Sequence, residues 1–266
     1  MNYTYDTHKR FNGRKPYACT FMDTLYRSDS VTREGGRKFK RFYENLARHI
    51  FDINLEICEQ VGDYLPITYN ERRNAAAVAM ALSRLTPYAI SEYSLDCRGV
   101  EFGEGEYQSR RAIDFWCSTE DRRLEIWIES KHLWLNVGKK ARRAFDKSCK
   151  SRISSALKQL QDIKQLIHAG RTSEGLKCAL FSVQAYCERG QCVENLSELD
   201  SLPQEVGTML YKESDRVLNA RGEALQFGVL VSALDLRPSI GHKAQDVYHY
   251  PNGYTPFVLL VAVVMM

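Results

Sequence analysis

The sequence has no apolar run long enough to cross a membrane. Its most hydrophobic stretch, residues 257–266, is ten residues long, against the ~20 that a spanning helix needs, and it reads as a buried strand. The opening residues carry His8, Lys9 and Arg10 with no apolar segment behind them, which is not the pattern of a secretory leader. A cytoplasmic location and no membrane partner are therefore expected. No CxxC pair occurs among the eight cysteines, Cys19, Cys58, Cys97, Cys117, Cys149, Cys178, Cys187 and Cys192. Cys187 and Cys192 have no second Cys or His pair nearby at ligand spacing, which argues against structural zinc and for buried thiols in a reducing compartment. A strong excess of either charge is also missing. The net charge of +4 leans basic without making a nucleic-acid partner evident from charge alone. Internal repeats and low-complexity segments are absent, and 44% hydrophobic with 26% charged residues is the composition of a globular chain able to bury one substantial core.

What is present is a clear succession of periodic segments. Phe42, Leu46, Ile50, Ile53 and Ile57 recur at helical spacing over residues 39–61, and Gly62 and Pro66 close that helix. A second helix is expected from the Asn70 cap through an Ala-rich body to Leu85, stopped by Pro87. Three strands follow, over residues 88–97, 110–117 and 124–135, as a β-meander. Ile153, Leu157, Leu160, Ile163 and Ile167 mark a helix over residues 148–168. A strand at 177–187, a helical stretch at 202–211 and strands at 225–234 and 257–266 complete the chain. Residues 1–40 show no sustained period and are expected to form an irregular arm. The fold class expected is α/β: a central mixed sheet flanked by helices, with an N-terminal helical extension. The division expected is a basic arm and helix over 1–66 and a main domain over 67–266.

The chemistry concentrates in the second and third strands. Alternation along Leu124-Glu125-Ile126-Trp127-Ile128-Glu129-Ser130-Lys131 puts Glu129 and Lys131 on one face. If the hairpin turns within residues 118–123, its symmetric registers set Asp114 opposite either Trp127 or Glu129, so both carboxylates share a surface. Two carboxylates a few ångströms apart repel unless a positive group lies between them, and a hard cation with oxygen ligands, such as Mg²⁺ or in its place Mn²⁺, meets that need. Such an ion lowers the pKa of a bound water and neutralises a phosphodiester, while a neighbouring ammonium stabilises the transition state.

The pattern Arg111-Ala112-Ile113-Asp114, followed across a hairpin by Ile128-Glu129-Ser130-Lys131, resembles the PD-(D/E)xK superfamily of restriction-endonuclease-like nucleases. The resemblance spans about residues 71–186, with Ile113 where many members carry Pro. It implies a restriction-endonuclease-like core, Asp114 and Glu129 as ligands of a divalent metal with the Ser130 carbonyl as a further ligand, and Lys131 assisting the nucleophilic water. Members commonly carry one more acid upstream. Glu92, a carboxylate in the apolar setting of the first strand, ranks ahead of Glu71, which as a helix-N-terminal charge has an ordinary explanation in the macrodipole. Gln159, Gln161 and Gln165 lack a Tyr four residues on, so the Gln-x-x-x-Tyr form of RecB-like nucleases is incomplete.

Residues 139–152 hold seven basic residues against one acid. Lys139, Lys140, Arg142, Arg143, Lys147 and Lys150 are the expected phosphate contacts. Arg37, Lys38, Lys40 and Arg41 form a second basic patch. Trp116, Trp127 and Trp134 read as packing residues sooner than as base-stacking platforms, and His132 points away from the acids. The function expected is Mg²⁺-dependent hydrolysis of phosphodiester bonds, DNA ahead of RNA, with a homodimer or a partner subunit left open. Host-defence, mobile-element and repair roles all fit. The alternative is a catalytically silent nucleic-acid-binding or assembly subunit that keeps an endonuclease-like fold.

Overall fold

The computed structural model describes residues 4–10, 16–22, 36–61, 65–94, 112–119, 124–163, 174–188, 190–193, 195–220, 225–237 and 253–265. Eight strands and four α-helices are described: β1 (Thr4–Arg10), β2 (Pro16–Met22), α1 (Gly36–Val61), α2 (Glu71–Leu85), β3 (Ala89–Ser94), β4 (Ala112–Ser118), β5 (Leu124–Asn136), α3 (Lys147–Asp162), β6 (Glu174–Glu188), α4 (Leu202–Leu218), β7 (Phe227–Asp235) and β8 (Gly253–Met265). The strands form one mixed sheet in the order β1-β2-β7-β8-β6-β5-β4-β3. Among the described strands, only β5 and β6 pair in parallel; β3-β4-β5 is the antiparallel meander. Among the described residues no helix is long and apolar enough to cross a membrane.

The sheet lies between two helical layers. On one face Ile153, Leu157 and Leu160 of α3 and Val206 and Leu210 of α4 pack on odd-numbered strand residues such as Phe181, Val229 and Val261. On the other, Leu46 and Ile50 of α1 and Val78 and Leu82 of α2 pack on even-numbered ones such as Ile126, Leu180 and Leu260. The period of two along each strand thus sorts side chains between the layers. β8 lies between β7 and β6 and is apolar on both faces, which is why its sequence shows a continuous apolar run instead of alternation. The α1 stripe centres on Phe39, Tyr43, Leu46, Ile50 and Ile53, with Phe42 and Ile57 only partly buried. The Tyr43 hydroxyl donates to the Leu260 carbonyl at 2.6 Å and ties α1 to β8. This helix therefore shares its core with the sheet of the main domain.

Several expectations need correction. Residues 4–10 and 16–22 are not an irregular arm but a hairpin that adds to β7, Cys19 opposite Leu234. Main-chain hydrogen bonds hold such a pair whatever its side-chain period, and the charged sequence of β1 suits an edge strand. The helix expected at 202–211 runs on to Leu218, and β6 begins at Glu174. Residues 95–97 and 110–111 of the expected strands, and 164–168 of the expected helix, lie outside the described residues.

Candidate active site

The hairpin of β4 and β5 sets Phe115 opposite Ile128 and Trp116 opposite Trp127. Continued by one residue, this register puts Asp114 opposite Glu129, the second of the two alternatives open from the sequence. β4 turns over here: Ile113 joins the α3 and α4 core, whereas Phe115 and Cys117 join the α1 and α2 core. Where the strand turns, the Asp114 side chain takes up the ladder, accepting the Ser130 N–H at 2.7 Å. On the other side of β4, Glu92 lies between the paired residues Ser91 and Tyr93 with a left-handed φ of 50°, a conformation a non-glycine residue adopts only where its neighbours impose it.

The Lys131 ammonium is the centre of the site. It lies 2.8 Å from Glu129 Oε1 and 3.7 Å from Asp114 Oδ2, and it donates to Glu71 Oε1 and to the Ser130 carbonyl, both at 3.1 Å. Glu71 is brought in by the helix start: the Asn70 side chain accepts the Arg73 N–H at 3.0 Å and fixes α2 so that its first residue faces β5. Glu92, ranked first from the sequence as the additional acid, has an exposed side chain and is not bonded to Lys131. Its left-handed backbone removes it from the alternation on which that ranking rested. Arg152 of α3, which the sequence buried inside a basic run, comes within 3.8 Å of Glu71 Oε2 and lies over the Trp134 ring at 5.2 Å. Its signal was available only in the helical phase that separates it from Lys147 and Lys150.

The electrostatics follow from burial. Glu129 is 2% exposed; burial, with Asp114 beside it, holds its carboxyl above the usual carboxylate range despite its bond to Lys131. Burial raises Asp114 too, against the pull of Lys131 and the Ser130 N–H. For Lys131 burial acts downward, but the Glu129 bond and the charges of Asp114, Glu129 and Glu71 outweigh it, and the ammonium is held above its ordinary value. Three carboxylates thus face one lysine, with one arginine at the margin. Among the described residues, no group of three or more His, Cys, Asp or Glu side chains is set to hold a metal ion; in this arrangement Lys131 fills the space between the acids. The donor set nonetheless suits a hard cation: the oxygens are carboxylates and a carbonyl, their summed charge exceeds that of Lys131, and Glu129 Oε2 is buried without a hydrogen-bond partner.

Around the site, Trp127 is buried, Trp116 stacks on Tyr93 with centroids 5.7 Å apart, and Trp134 meets His132 edge-on at 4.6 Å. His132 is fully buried, its Nδ1 3.0 Å from Ser182 Oγ, and burial pushes it down to about 4, so it is neutral at physiological pH. Burial likewise pushes the Cys117 thiol up to about 12 and Cys149 to about 11, too high for either to act as a nucleophile near neutrality. Cys97 lies outside the described residues. In the basic run, Lys139, Lys140, Arg142 and Lys147 are exposed. Arg143, at φ 47°, donates to the Glu198 carbonyl at 3.2 Å and lies 3.9 Å from Glu205, so it ties this segment to the start of α4. Lys150 pairs with Glu213 of α4 at 2.8 Å. Lys38 and Arg41 of the second basic patch are exposed on the first turns of α1. Comparison with protein-family models, with curated proteins and with solved structures gives no match to this chain.

Proposed function

We propose that this protein is a metal-dependent nuclease of the PD-(D/E)xK type, acting on phosphodiester bonds and on DNA ahead of RNA. The observation that carries the reading is the convergence of Asp114, Glu129 and Glu71 on one ammonium, with a buried Glu129 oxygen left unpartnered. Asp114 and Glu129, with the Ser130 carbonyl, would hold a divalent ion, Mg²⁺ or Mn²⁺. When bound, such an ion supplies charge neutralisation of the phosphate and a water of lowered pKa. Lys131, kept protonated by its acidic neighbours, serves as a donor to a phosphoryl oxygen or to the attacking water, not as a base. Glu71 positions that ammonium from the opposite side. In the hydrolysis, a water oxygen bonds to phosphorus and gives up a proton to solvent, while the ester P–O bond breaks and the departing oxygen takes a proton from solvent.

One feature favours a second reading. The ammonium already lies against one oxygen of each of the three carboxylates, as it would in a silent nucleic-acid-binding subunit. Incubation with linear, circular and single-stranded DNA and with RNA, in Mg²⁺, Mn²⁺ or EDTA, separates the two. Metal-dependent cleavage is expected, reduced about 10²-fold or more in Asp114→Ala and in Lys131→Ala. Cleavage that survives both substitutions assigns the chemistry elsewhere, and no cleavage with any metal returns the silent subunit.

A further inference from the structure

A shallow, open groove of about 770 Å³ is lined by residues of α3 and α4, and neither Lys131 nor its acids are among them. Four cations line it: Lys147, Lys150 and Lys158 from α3 and Arg216 from α4. Ser151, Ser154 and Ser155 complete the α3 side of the lining. The spacing 147, 150/151, 154/155, 158 is one face of an α-helix, so cations stand at both ends of a strip of small hydrogen-bonding side chains. Glu213 of α4 is the acid that faces this strip, and it is engaged on both sides, with Lys150 at 2.8 Å and Arg216 at 2.9 Å. It fixes two of the cations in place and leaves the strip positive.

We propose that this groove is a track for the phosphate backbone of a nucleic acid, holding the strand outside the bond that reacts; as a substrate site, the track rests on the nuclease reading. A solvated helix face needs no second helix supplying an arginine to the same lining, as Arg216 does here. Lys147 and Lys158 are separated by eleven residues of helix, or about 16 Å, which matches the axial rise of about five nucleotides of one strand. Serine hydroxyls donate to phosphate oxygens, and their small size lets a backbone approach the helix closely. Phe145, the aromatic residue of the lining, is buried in the core, so the track offers cations and hydroxyls to phosphates and no exposed ring to bases.

The test uses the full chain in EDTA, which separates binding from cleavage, with a fluorescein-labelled 20-nucleotide strand and its duplex. Affinity is measured by anisotropy over a salt series for wild type and for the double variant Lys147→Gln, Lys158→Gln. Both positions are exposed, and an unchanged melting temperature verifies the fold. The expected result is weaker binding, about tenfold per lost contact at 0.1 M salt, with the salt slope on duplex reduced by about 1.8. Unchanged affinity and slope, or no binding by wild type, overturns the track. If the double variant loses affinity while wild type cleaves nothing with any metal, the track stands and the nuclease reading falls. Metal-dependent cleavage beside unaltered binding by the double variant removes the track and keeps the nuclease.

Discussion

The carboxylate of Asp114 accepts the backbone N–H of Ser130 at 2.7 Å, so an acid of one strand is fixed by the residue that separates Glu129 from Lys131 on the next. The bond has two functions. It closes the hairpin where β4 turns away from regular pairing, and it holds the Asp114 carboxylate beside the Lys131 ammonium, to which the Ser130 carbonyl also accepts. Geometry and charge are therefore separable by substitution.

Asp114→Asn keeps an acceptor for Ser130 and removes the charge, whereas Asp114→Ala removes both. The alanine variant is expected to lose about 1 kcal/mol of stability, the low end for an abandoned donor because the site is partly open to water. The asparagine variant should lose less. Urea denaturation compares them, and both should abolish Mn²⁺ binding in isothermal titration. An asparagine variant that still binds the ion with wild-type affinity would remove Asp114 from the ligand set.

Glu71 and Glu92 make opposite predictions. Glu71→Gln loosens the Lys131 ammonium and lowers the charge of the cluster, and Mn²⁺ affinity should fall about 10- to 100-fold, as for groups that orient ligands. Glu92→Gln, on an exposed side chain, should leave affinity and cleavage unchanged. Titration of both variants at one pH decides, and a loss confined to Glu92→Gln would reinstate the acid suggested by the sequence.

That reversal marks where the sequence stops being legible. Glu129 and Lys131 followed from strand alternation alone, and Asp114 from alternation plus a short hairpin, because these are local rules. Glu71 and Arg152 reach the site from helices on opposite layers, and their convergence depends on tertiary packing that no local period encodes. The left-handed Glu92 breaks the alternation without a glycine to announce it. For the fold, helices and buried strands were evident from their apolar periods. The first hairpin was not, because edge pairing draws on main-chain groups that every residue carries. The placement of β8 in the middle of the sheet was equally hidden, although its continuous apolar run already implied burial on both faces.

Glu129→Gln tests the cost of holding a buried carboxylate. The folded-state pKa is raised, so the folded protein binds this proton more tightly than the unfolded chain does. Stability is then lost as pH rises through the interval between the unfolded and the raised folded value, and the penalty is complete above it. Glutamine carries no such term. At pH 8 the variant should melt at or above the wild-type temperature, and its advantage should shrink as pH falls toward the ordinary glutamate range, while cleavage is lost at every pH. An advantage that grows on acidification would contradict the assigned direction.

Gly175 tests the packing beneath the acids. A Cβ placed there would stand 2.7 Å from Cζ3 of Trp127, the buried residue two positions before Glu129 on the same face of β5. The indole would have to move within a close-packed layer. Gly175→Ala is therefore expected to cost about 1–3 kcal/mol and to lower cleavage by displacing the strand that carries Glu129 and Lys131. Trp127→Phe, which shortens the ring, should recover part of the loss in the double variant, a coupling read from denaturation midpoints. Additive losses would mean that the glycine is required for some reason other than its contact with the indole.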